Sequence, residues 1–287
     1  MKILIIDPQF EGEPDVERAV TGPDADIRVW QTVSEGPVPD SEFADCEALV
    51  NCRSRNSVTP ETVARMKNCK IVVQAGVGFN HIDIEACAAA GIPVCNVPDY
   101  GTSEVADHAL SLALALTRGV VAYDTKLRAR QMGWFAREQK TVRRLRGSRF
   151  GIIGLGRIGL ATALRARAFE TEIAFVDPYL PPGIEKALGF QRMESVGELL
   201  SASDIVSCHT PLTQETTGLI GNETLAEAKP GLVLVNTSRG PVVDLDAAES
   251  ALRDGRLGAL GLDVLPVEPL DYVHPLLGAW ERGEDWL

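Results

Sequence analysis

Basic residues are scarce in this 287-residue sequence. Lys and Arg together number 28 against 40 Asp and Glu, which gives a formal net charge of −12. A broad footprint on a phosphate backbone needs an excess of basic residues, so this balance argues against nucleic acid as a partner. The basic run between residues 140 and 149 is therefore interpreted as a solvated linker between domains rather than as a nucleic-acid site.

The sequence also lacks the cysteine and histidine spacings that are typical of disulfide frameworks and zinc sites. None of its six cysteines forms a Cys-x-x-Cys pair, and its four histidines are scattered along the chain. We expect free thiols buried in a reducing compartment and predict no metal site.

Long apolar runs are missing as well. The longest, residues 110–121, is interrupted by Arg118 and is too short to span a bilayer. The run at residues 3–6 is too short for the core of a signal peptide. We therefore expect a cytoplasmic protein with no membrane partner.

Short β-rich runs alternate with helical patterns in two successive series. The first series predicts strands at residues 2–6, 26–30, 48–51, 71–74 and 93–96, with helices such as 60–67 and 83–90. The second predicts strands at residues 150–153, 172–176, 204–208, 232–236 and 259–263, with helices that include 158–169, 195–201 and 245–254. Such alternation predicts an α/β fold with two doubly wound parallel sheets, each covered by helices on both faces.

A long helical segment, roughly residues 103–131, lies between the two series. It is apolar on more than one face. A helix of this kind is expected to be buried on several sides, either between domains or against a second subunit.

A glycine-rich turn follows the predicted strand at residues 150–153 and opens a helix. Its residues are Gly154, Leu155, Gly156, Arg157, Ile158 and Gly159. Gly154 permits the tight turn, Gly156 lets the backbone approach a pyrophosphate, and Gly159 lets helix and strand pack closely. The start of the helix offers N–H groups and a partial positive charge to phosphates. The turn predicts a dinucleotide site, with a purely structural turn as the alternative.

Asp177 indicates which dinucleotide would bind. It stands at the end of the next predicted strand, 18 positions after Gly159. A carboxylate there can accept hydrogen bonds from the adenosine ribose hydroxyls and repels a 2′-phosphate. We therefore predict NAD rather than NADP as the cofactor.

Several segments together resemble one family. They are Gly151 to Gly159, Asp177-Pro178-Tyr179, Val235 to Gly240, Gly261 to Val264, and Glu268-Pro269. In this order they resemble the D-isomer-specific 2-hydroxyacid dehydrogenases, and residues 177–192 with 95–99 are most similar to the branch that contains the C-terminal-binding proteins. The resemblance implies NAD-dependent hydride transfer between a 2-keto acid and a D-2-hydroxy acid.

The resemblance also implies the organisation of the domains. It implies a flavodoxin-like substrate domain at residues 1–99 and a Rossmann NAD-binding domain at residues 100–287. The long helix would build a homodimer. The family's chain returns to the substrate domain at its C-terminal end, and we expect that return to be missing from these 287 residues.

Three residues of the second series are candidates for the chemistry. Arg239 follows a predicted strand, so it lies at the carboxyl end of the sheet, where ligands bind. Its planar guanidinium suits a carboxylate, and a surface arginine is the alternative. The resemblance implies that Glu268 pairs with a catalytic histidine and raises its pKa. It implies that Asp263 binds the nicotinamide carboxamide, a strand-end cap being the alternative.

The resemblance assigns further residues to substrate and cofactor binding. Arg53 matches a basic position on the substrate side, for which neighbouring Arg55 is an alternative. The backbone N–H groups of Val77 and Gly78 match a pair that binds the substrate carboxylate, which is a small anion nest. On the cofactor, the implied contacts are Thr210 and Pro211 at the adenine side and Thr237 and Ser238 at the nicotinamide side.

The catalytic histidine is a departure from the family. The resemblance places it in a Thr-Pro-His segment after the Glu-Pro pair, and this sequence has no such segment. His274 is interpreted as a packing or capping residue, His209 is expected near the adenine end, and neither His81 nor His108 matches the family's position. The resemblance to the C-terminal-binding-protein branch allows an alternative function, an NAD-sensing dimeric scaffold of the corepressor type with little or no catalysis.

Overall fold

The computed structural model describes residues 1–10, 12–131, 142–268 and 273–283. The chain divides into two compact units, Met1–Gly101 and Thr102–Leu287. Each unit contains one parallel β-sheet with helices, so the predicted fold class is confirmed.

The first unit is built on a five-stranded sheet. Its strands are β1 (Lys2–Ile6), β2 (Asp26–Trp30), β3 (Ala48–Asn51), β4 (Ile71–Gln74) and β5 (Val94–Asn96). Its helices are α1 (Asp15–Thr21), α2 (Thr32–Glu35), α3 (Asp40–Asp45), α4 (Pro60–Arg65) and α5 (Ile84–Ala89). The strand order β2-β1-β3-β4-β5 is the flavodoxin-like order, and it reverses direction between β1 and β3.

Local sequence signals fix where the helices of this unit begin. Thr59 accepts a hydrogen bond from the Thr62 N–H at 3.3 Å, and Pro60 occupies the first turn of α4. Asp83 accepts from the Ala86 N–H at 2.8 Å and caps α5 in the same way. The strands are apolar because both faces of the sheet contribute to a core.

The second unit has a six-stranded sheet. Its strands are β6 (Arg149–Ile153), β7 (Glu172–Val176), β8 (Gln191–Arg192), β9 (Ile205–Cys208), β10 (Leu232–Asn236) and β11 (Leu257–Leu262). Its helices are α6 (Thr102–Arg118), α7 (Val120–Arg128), α8 (Arg157–Arg167), α9 (Ile184–Leu188), α10 (Val196–Ala202), α11 (Asn222–Ala226), α12 (Leu245–Arg253) and α13 (Pro275–Glu281). The order β11-β10-β9-β6-β7-β8 is the Rossmann order, which reverses between β6 and β9.

The prediction of one long helix over residues 103–131 is wrong. The segment forms two helices, α6 and α7, which are bent by 55° relative to each other. Gly119 lies between them in a left-handed conformation with φ 62°, and a β-carbon there would lie 3.2 Å from the Tyr123 ring. Within the described part of the chain, no single helix is long and apolar enough to cross a membrane; α6 and α7 meet those criteria only when counted together.

Candidate functional site

The glycine-rich turn after β6 forms a tightly packed cradle. Gly154 has φ 86°, and a β-carbon there would lie 3.0 Å from the His209 carbonyl oxygen. A β-carbon on Gly159 would lie 2.0 Å from the Gly154 carbonyl oxygen, whereas one on Gly156 would meet open space. Gly154 and Gly159 therefore allow close packing of the backbone, and Gly156 leaves room for a ligand at the start of α8. No side chain of the described residues caps that helix start, where Arg157 and Ile158 lie in the first turn.

Asp177 braces this turn from the end of β7. Its Oδ2 accepts from the Leu155 N–H at 2.9 Å, and its Oδ1 accepts from the Tyr179 N–H at 3.0 Å. Arg192 donates to the Asp177 carbonyl at 3.0 Å. The carboxylate is thus held beside the cradle, and each oxygen keeps a further lone pair for a ribose hydroxyl.

Two threonine hydroxyls near the ends of β9 and β10 are buried and have no hydrogen-bond partner among the described residues. They are Thr210 Oγ1 and Thr237 Oγ1. Buried hydroxyls in proteins are nearly always hydrogen-bonded, so orphaned ones indicate a place for a polar ligand. Pro211 follows Thr210 and is exposed. The cradle and the orphaned hydroxyls fit a bound dinucleotide.

Asn236, the last residue of β10, organises the loop that carries Arg239. Its side chain is completely buried. Its Oδ1 accepts from the N–H of Ser238 at 3.0 Å and from the hydroxyl of Ser238 at 2.8 Å, and its Nδ2 donates to the Arg239 carbonyl at 2.9 Å. Three bonds from one buried amide fix the course of residues 237–239. Asn236 lies within the motif Val235 to Gly240, and no role was predicted for it.

The loop after β11 packs directly against the Arg239 loop. A β-carbon on Gly240 would lie 2.0 Å from the Leu265 carbonyl carbon, so only glycine permits this approach. Glu268 is exposed, and its Oε1 accepts from the Leu265 N–H at 2.9 Å. Asp263 donates its N–H to the Asn236 carbonyl at 3.0 Å. Arg239, Asp263 and Glu268 are thereby placed along the same edge of the sheet.

In the first unit, the structure distinguishes Arg53 from Arg55. The carboxylate of Asp7, at the end of β1, is buried and accepts from Arg55 Nε at 3.0 Å and from Asn56 at 2.9 Å. Burial alone would raise the pKa of Asp7, but hydrogen bonds from Thr32, Asn56 and Arg55 outweigh it and lower that pKa. Both arginines are exposed on the loop after β3, and Arg55 is the one that pairs with the buried carboxylate of Asp7.

Val77 and Gly78 lie in the turn that follows β4. Asn96 donates to the Val77 carbonyl at 2.8 Å, and in a trans peptide the N–H of Gly78 points to the opposite side from that carbonyl. Buried Gln74 supports the start of the turn, accepting from Asn51 at 3.2 Å and bonding His81 Nε2 at 2.8 Å. Since β1, β3 and β4 are parallel, the loops of Arg53 and of Val77 follow strands at the same edge of the sheet.

The histidines occupy four different environments. His274 caps α13 by accepting from the Leu276 N–H at 3.1 Å, which confirms its predicted capping role, and its Nε2 lies 3.1 Å from Asp246. His209 bonds Ser207 at 2.9 Å, and burial lowers the pKa of His209 to about 4. His108, for which no role was predicted, lies 3.2 Å from Asp263. Among the described residues, no histidine bonds Glu268, and no group of three or more His, Cys, Asp or Glu could hold a metal ion.

Comparison with known proteins identifies the family of the chain. Residues 110–282 match the family model of the D-isomer specific 2-hydroxyacid dehydrogenase, NAD binding domain. The chain belongs to the D-isomer specific 2-hydroxyacid dehydrogenase family. It therefore carries an NAD-binding domain of this family, as the resemblance implied. The narrower likeness to the C-terminal-binding-protein branch stays a prediction.

Individual relatives agree with this assignment. The chain is 40% identical over 225 residues to the D-3-phosphoglycerate dehydrogenase of Mycobacterium leprae. The aligned residues cover 78% of this chain and 42% of that protein. The chain thus spans less than half the length of this relative. The D-lactate dehydrogenase of Aquifex aeolicus, solved with NAD and lactic acid, superimposes with a TM-score of 0.83 at 29% identity, covering 98% of this chain and 81% of that one. The TT0316 protein of Thermus thermophilus superimposes with a TM-score of 0.81 at 33% sequence identity, covering 97% of this chain and 86% of that one.

Proposed function

We propose that the protein is an NAD-dependent oxidoreductase that interconverts a 2-keto acid and a D-2-hydroxy acid by hydride transfer. The observation that carries this proposal is the Arg239 loop, held by buried Asn236 at the same sheet edge as the dinucleotide cradle. A glycine-rich turn with a purely structural role would explain the packing after β6. It would not explain why the loop of Arg239 is held in place at the same edge of the sheet. The names of the relatives support the reaction class.

Different described residues of the second unit would bind different parts of the cofactor. Gly154, Gly156 and the first turn of α8 would hold the pyrophosphate, and Asp177 would hold the adenosine ribose. Thr210 and Pro211 would contact the adenine side. Thr237, Ser238 and Asp263 would contact the nicotinamide side. When bound, the dinucleotide supplies or accepts the hydride.

Arg239 would bind the substrate carboxylate and polarise its carbonyl. A guanidinium donates two parallel hydrogen bonds to a carboxylate, and the pairing orients the α-carbon as well as stabilising developing charge on oxygen. In the first unit, which we propose to be the substrate domain, Arg53 and the N–H groups of Val77 and Gly78 would bind the substrate. Glu268 would pair with the residue that donates the proton and raise the pKa of that residue. None of the described residues is assigned as this proton donor.

The test is turnover by the purified protein. NADH affinity is measured first by fluorescence titration. NADH oxidation is then followed against a panel of 2-keto acids that includes pyruvate and 3-phosphohydroxypyruvate, the keto acids that correspond to the relatives' names. We expect binding and at least one active substrate. NADH binding without turnover on any of them would instead support the scaffold alternative.

A matched pair of variants tests the role of Arg239. Arg239→Ala is expected to lower kcat/KM by about 10³-fold or more while NADH affinity stays within about twofold, since a charge-assisted substrate contact is lost. Arg253→Ala is the control, because Arg253 is exposed and pairs with Glu249 on α12. Retention of most activity by Arg239→Ala would show that another cation binds the substrate.

We also propose that the protein is a cytoplasmic homodimer that associates through α6 and α7. Val120, Val121 and Leu127 of α7 are exposed apolar side chains, which supports an interface there. Light scattering at micromolar concentration should give twice the chain mass. Val121→Asp is expected to shift the protein towards monomer, and a monomeric unmodified protein would contradict the proposal.

A further inference from the structure

Helix α6 brings His108 to the carboxylate of Asp263. His108 Nε2 and Asp263 Oδ1 are 3.2 Å apart, and each side chain is about half exposed, at 49% and 47%. His108 lies in the second turn of α6, whereas Asp263 directly follows β11. The two residues are therefore far apart in sequence and meet only because α6 packs on this part of the sheet.

Close packing makes this meeting a fixed feature of the unit. Helix α6 packs against β10 and β11, with Ala109 and Ala113 fully buried. A β-carbon on Gly261 would lie 3.1 Å from Leu116 Cδ1 and 3.4 Å from the Leu112 β-carbon, so the glycine lets the helix approach the strand. The backbone of Asp263 is held in turn by its N–H bond to the Asn236 carbonyl at 3.0 Å.

The carboxylate is thus held at one oxygen only. Oδ1 faces His108, and within the described residues no partner occupies Oδ2. A half-exposed aspartate samples several rotamers, and a contact of 3.2 Å between one of its oxygens and an imidazole nitrogen restricts that sampling. The other oxygen, Oδ2, is then oriented in one direction.

We infer that His108 is a positioning residue for the cofactor: it holds Asp263 so that the free carboxylate oxygen accepts from the amide N–H of the nicotinamide carboxamide. This inference rests on the proposed function. It adds a residue of α6 to the nicotinamide side of the site. A purely structural pair, which only ties α6 to the sheet, is the competing explanation.

Two ligands separate these explanations. ADP-ribose contains the adenosine, the pyrophosphate and the second ribose of NADH but lacks nicotinamide. Calorimetric titration of the full chain with each ligand therefore isolates the nicotinamide contribution. For His108→Ala we expect NADH affinity to fall about fivefold, the size of one exposed charge-assisted contact, with ADP-ribose affinity unchanged.

Two further variants complete the experiment. His108→Gln keeps an N–H donor and is expected to regain most of the NADH affinity. Ser111→Ala lies one turn further along the exposed side of α6 and should leave both affinities unchanged. Circular dichroism confirms that each variant is folded.

The outcomes distinguish this inference from the proposed function. Unchanged NADH affinity in His108→Ala, or equal losses for NADH and ADP-ribose, would overturn the positioning role and leave the proposed function standing. Failure of the unmodified protein to bind ADP-ribose would overturn the proposed dinucleotide site, and the inference with it. A loss confined to NADH and rescued by glutamine supports the role.

Discussion

Acid should destabilise the second unit through His209. Burial lowers the pKa of this imidazole from 6.5 to about 4, and its Nε2 bonds the Ser207 hydroxyl at 2.9 Å. Between these two pH values, the unfolded chain binds a proton that the folded chain excludes. Protonation therefore favours unfolding, and stability falls as pH drops below 6.5 until it levels off near pH 4.

The size of the effect follows from the two pKa values. The full difference of about 2.5 pH units corresponds to about 3 to 4 kcal/mol, at about 1.4 kcal/mol for each pH unit. Between pH 7.5 and pH 5.0 the expected loss in the free energy of unfolding is about 2 kcal/mol. Asp7 does not contribute in this window, because its carboxyl pKa is lowered from 3.8 and its stabilising effect is lost only at more acidic pH.

Urea unfolding followed by far-UV circular dichroism measures this loss. His209→Gln removes the titrating group and keeps a polar side chain, so its stability should change by about 2 kcal/mol less than that of the unmodified protein between pH 7.5 and 5.0. Ser207→Ala is the control, since it removes the hydrogen bond but leaves the imidazole buried, and its pH dependence should persist. An equal pH dependence in His209→Gln and the unmodified protein would refute the reasoning.

Four further variants test other contacts. Asp177→Ala should narrow the preference for NADH over NADPH by about tenfold in fluorescence titrations, and tighter NADPH binding by the unmodified protein would contradict the assignment. Gly159→Ala should cost about 2 kcal/mol or more of stability in thermal unfolding, because its β-carbon would overlap a carbonyl oxygen 2.0 Å away. Asn236→Asp loses one donor and should lower kcat/KM by about tenfold at unchanged NADH affinity. Asp7→Asn should destabilise the first unit by about 2 kcal/mol in urea unfolding, since an amide has one acceptor oxygen fewer for the donors of Thr32, Arg55 and Asn56.

The parallel sheets could be predicted from sequence because their strands are buried on both faces. The strand β10 is fully buried along its length, and such a strand appears in the sequence as an apolar run with turn residues at each end. Its predicted bounds are confirmed. The strand β8 has only two residues at the edge of the sheet and carries no such run, so the pattern did not indicate it.

The break at Gly119 could not be predicted from apolar periodicity. Glycine inside a helical pattern is often tolerated at a modest energetic cost. Whether it continues the helix or turns it depends on what packs beside it, here the Tyr123 ring. The contact between His108 and Asp263 was equally hidden, because it depends on the packing of α6 against β11. Neither residue carries a local signal for the other.

The two units use the same device to fix a loop that carries an arginine. In each, a buried polar side chain next to the carboxyl end of a parallel strand directs its hydrogen bonds to the loop: Asp7 after β1 and Asn236 at the end of β10. Both side chains are almost fully buried, so neither can bind a ligand itself.

The difference in charge between Asp7 and Asn236 has a consequence for the arginine of each loop. The Asp7 carboxylate pairs with one cation of its loop, Arg55, and thereby leaves Arg53 as the other basic group of that loop. The neutral amide of Asn236 binds only backbone and hydroxyl groups of its loop, so it orders the segment without neutralising the positive charge of Arg239. The proposed role of Arg239 in binding a substrate carboxylate requires that charge, and an amide beside Arg239 preserves it better than a carboxylate would.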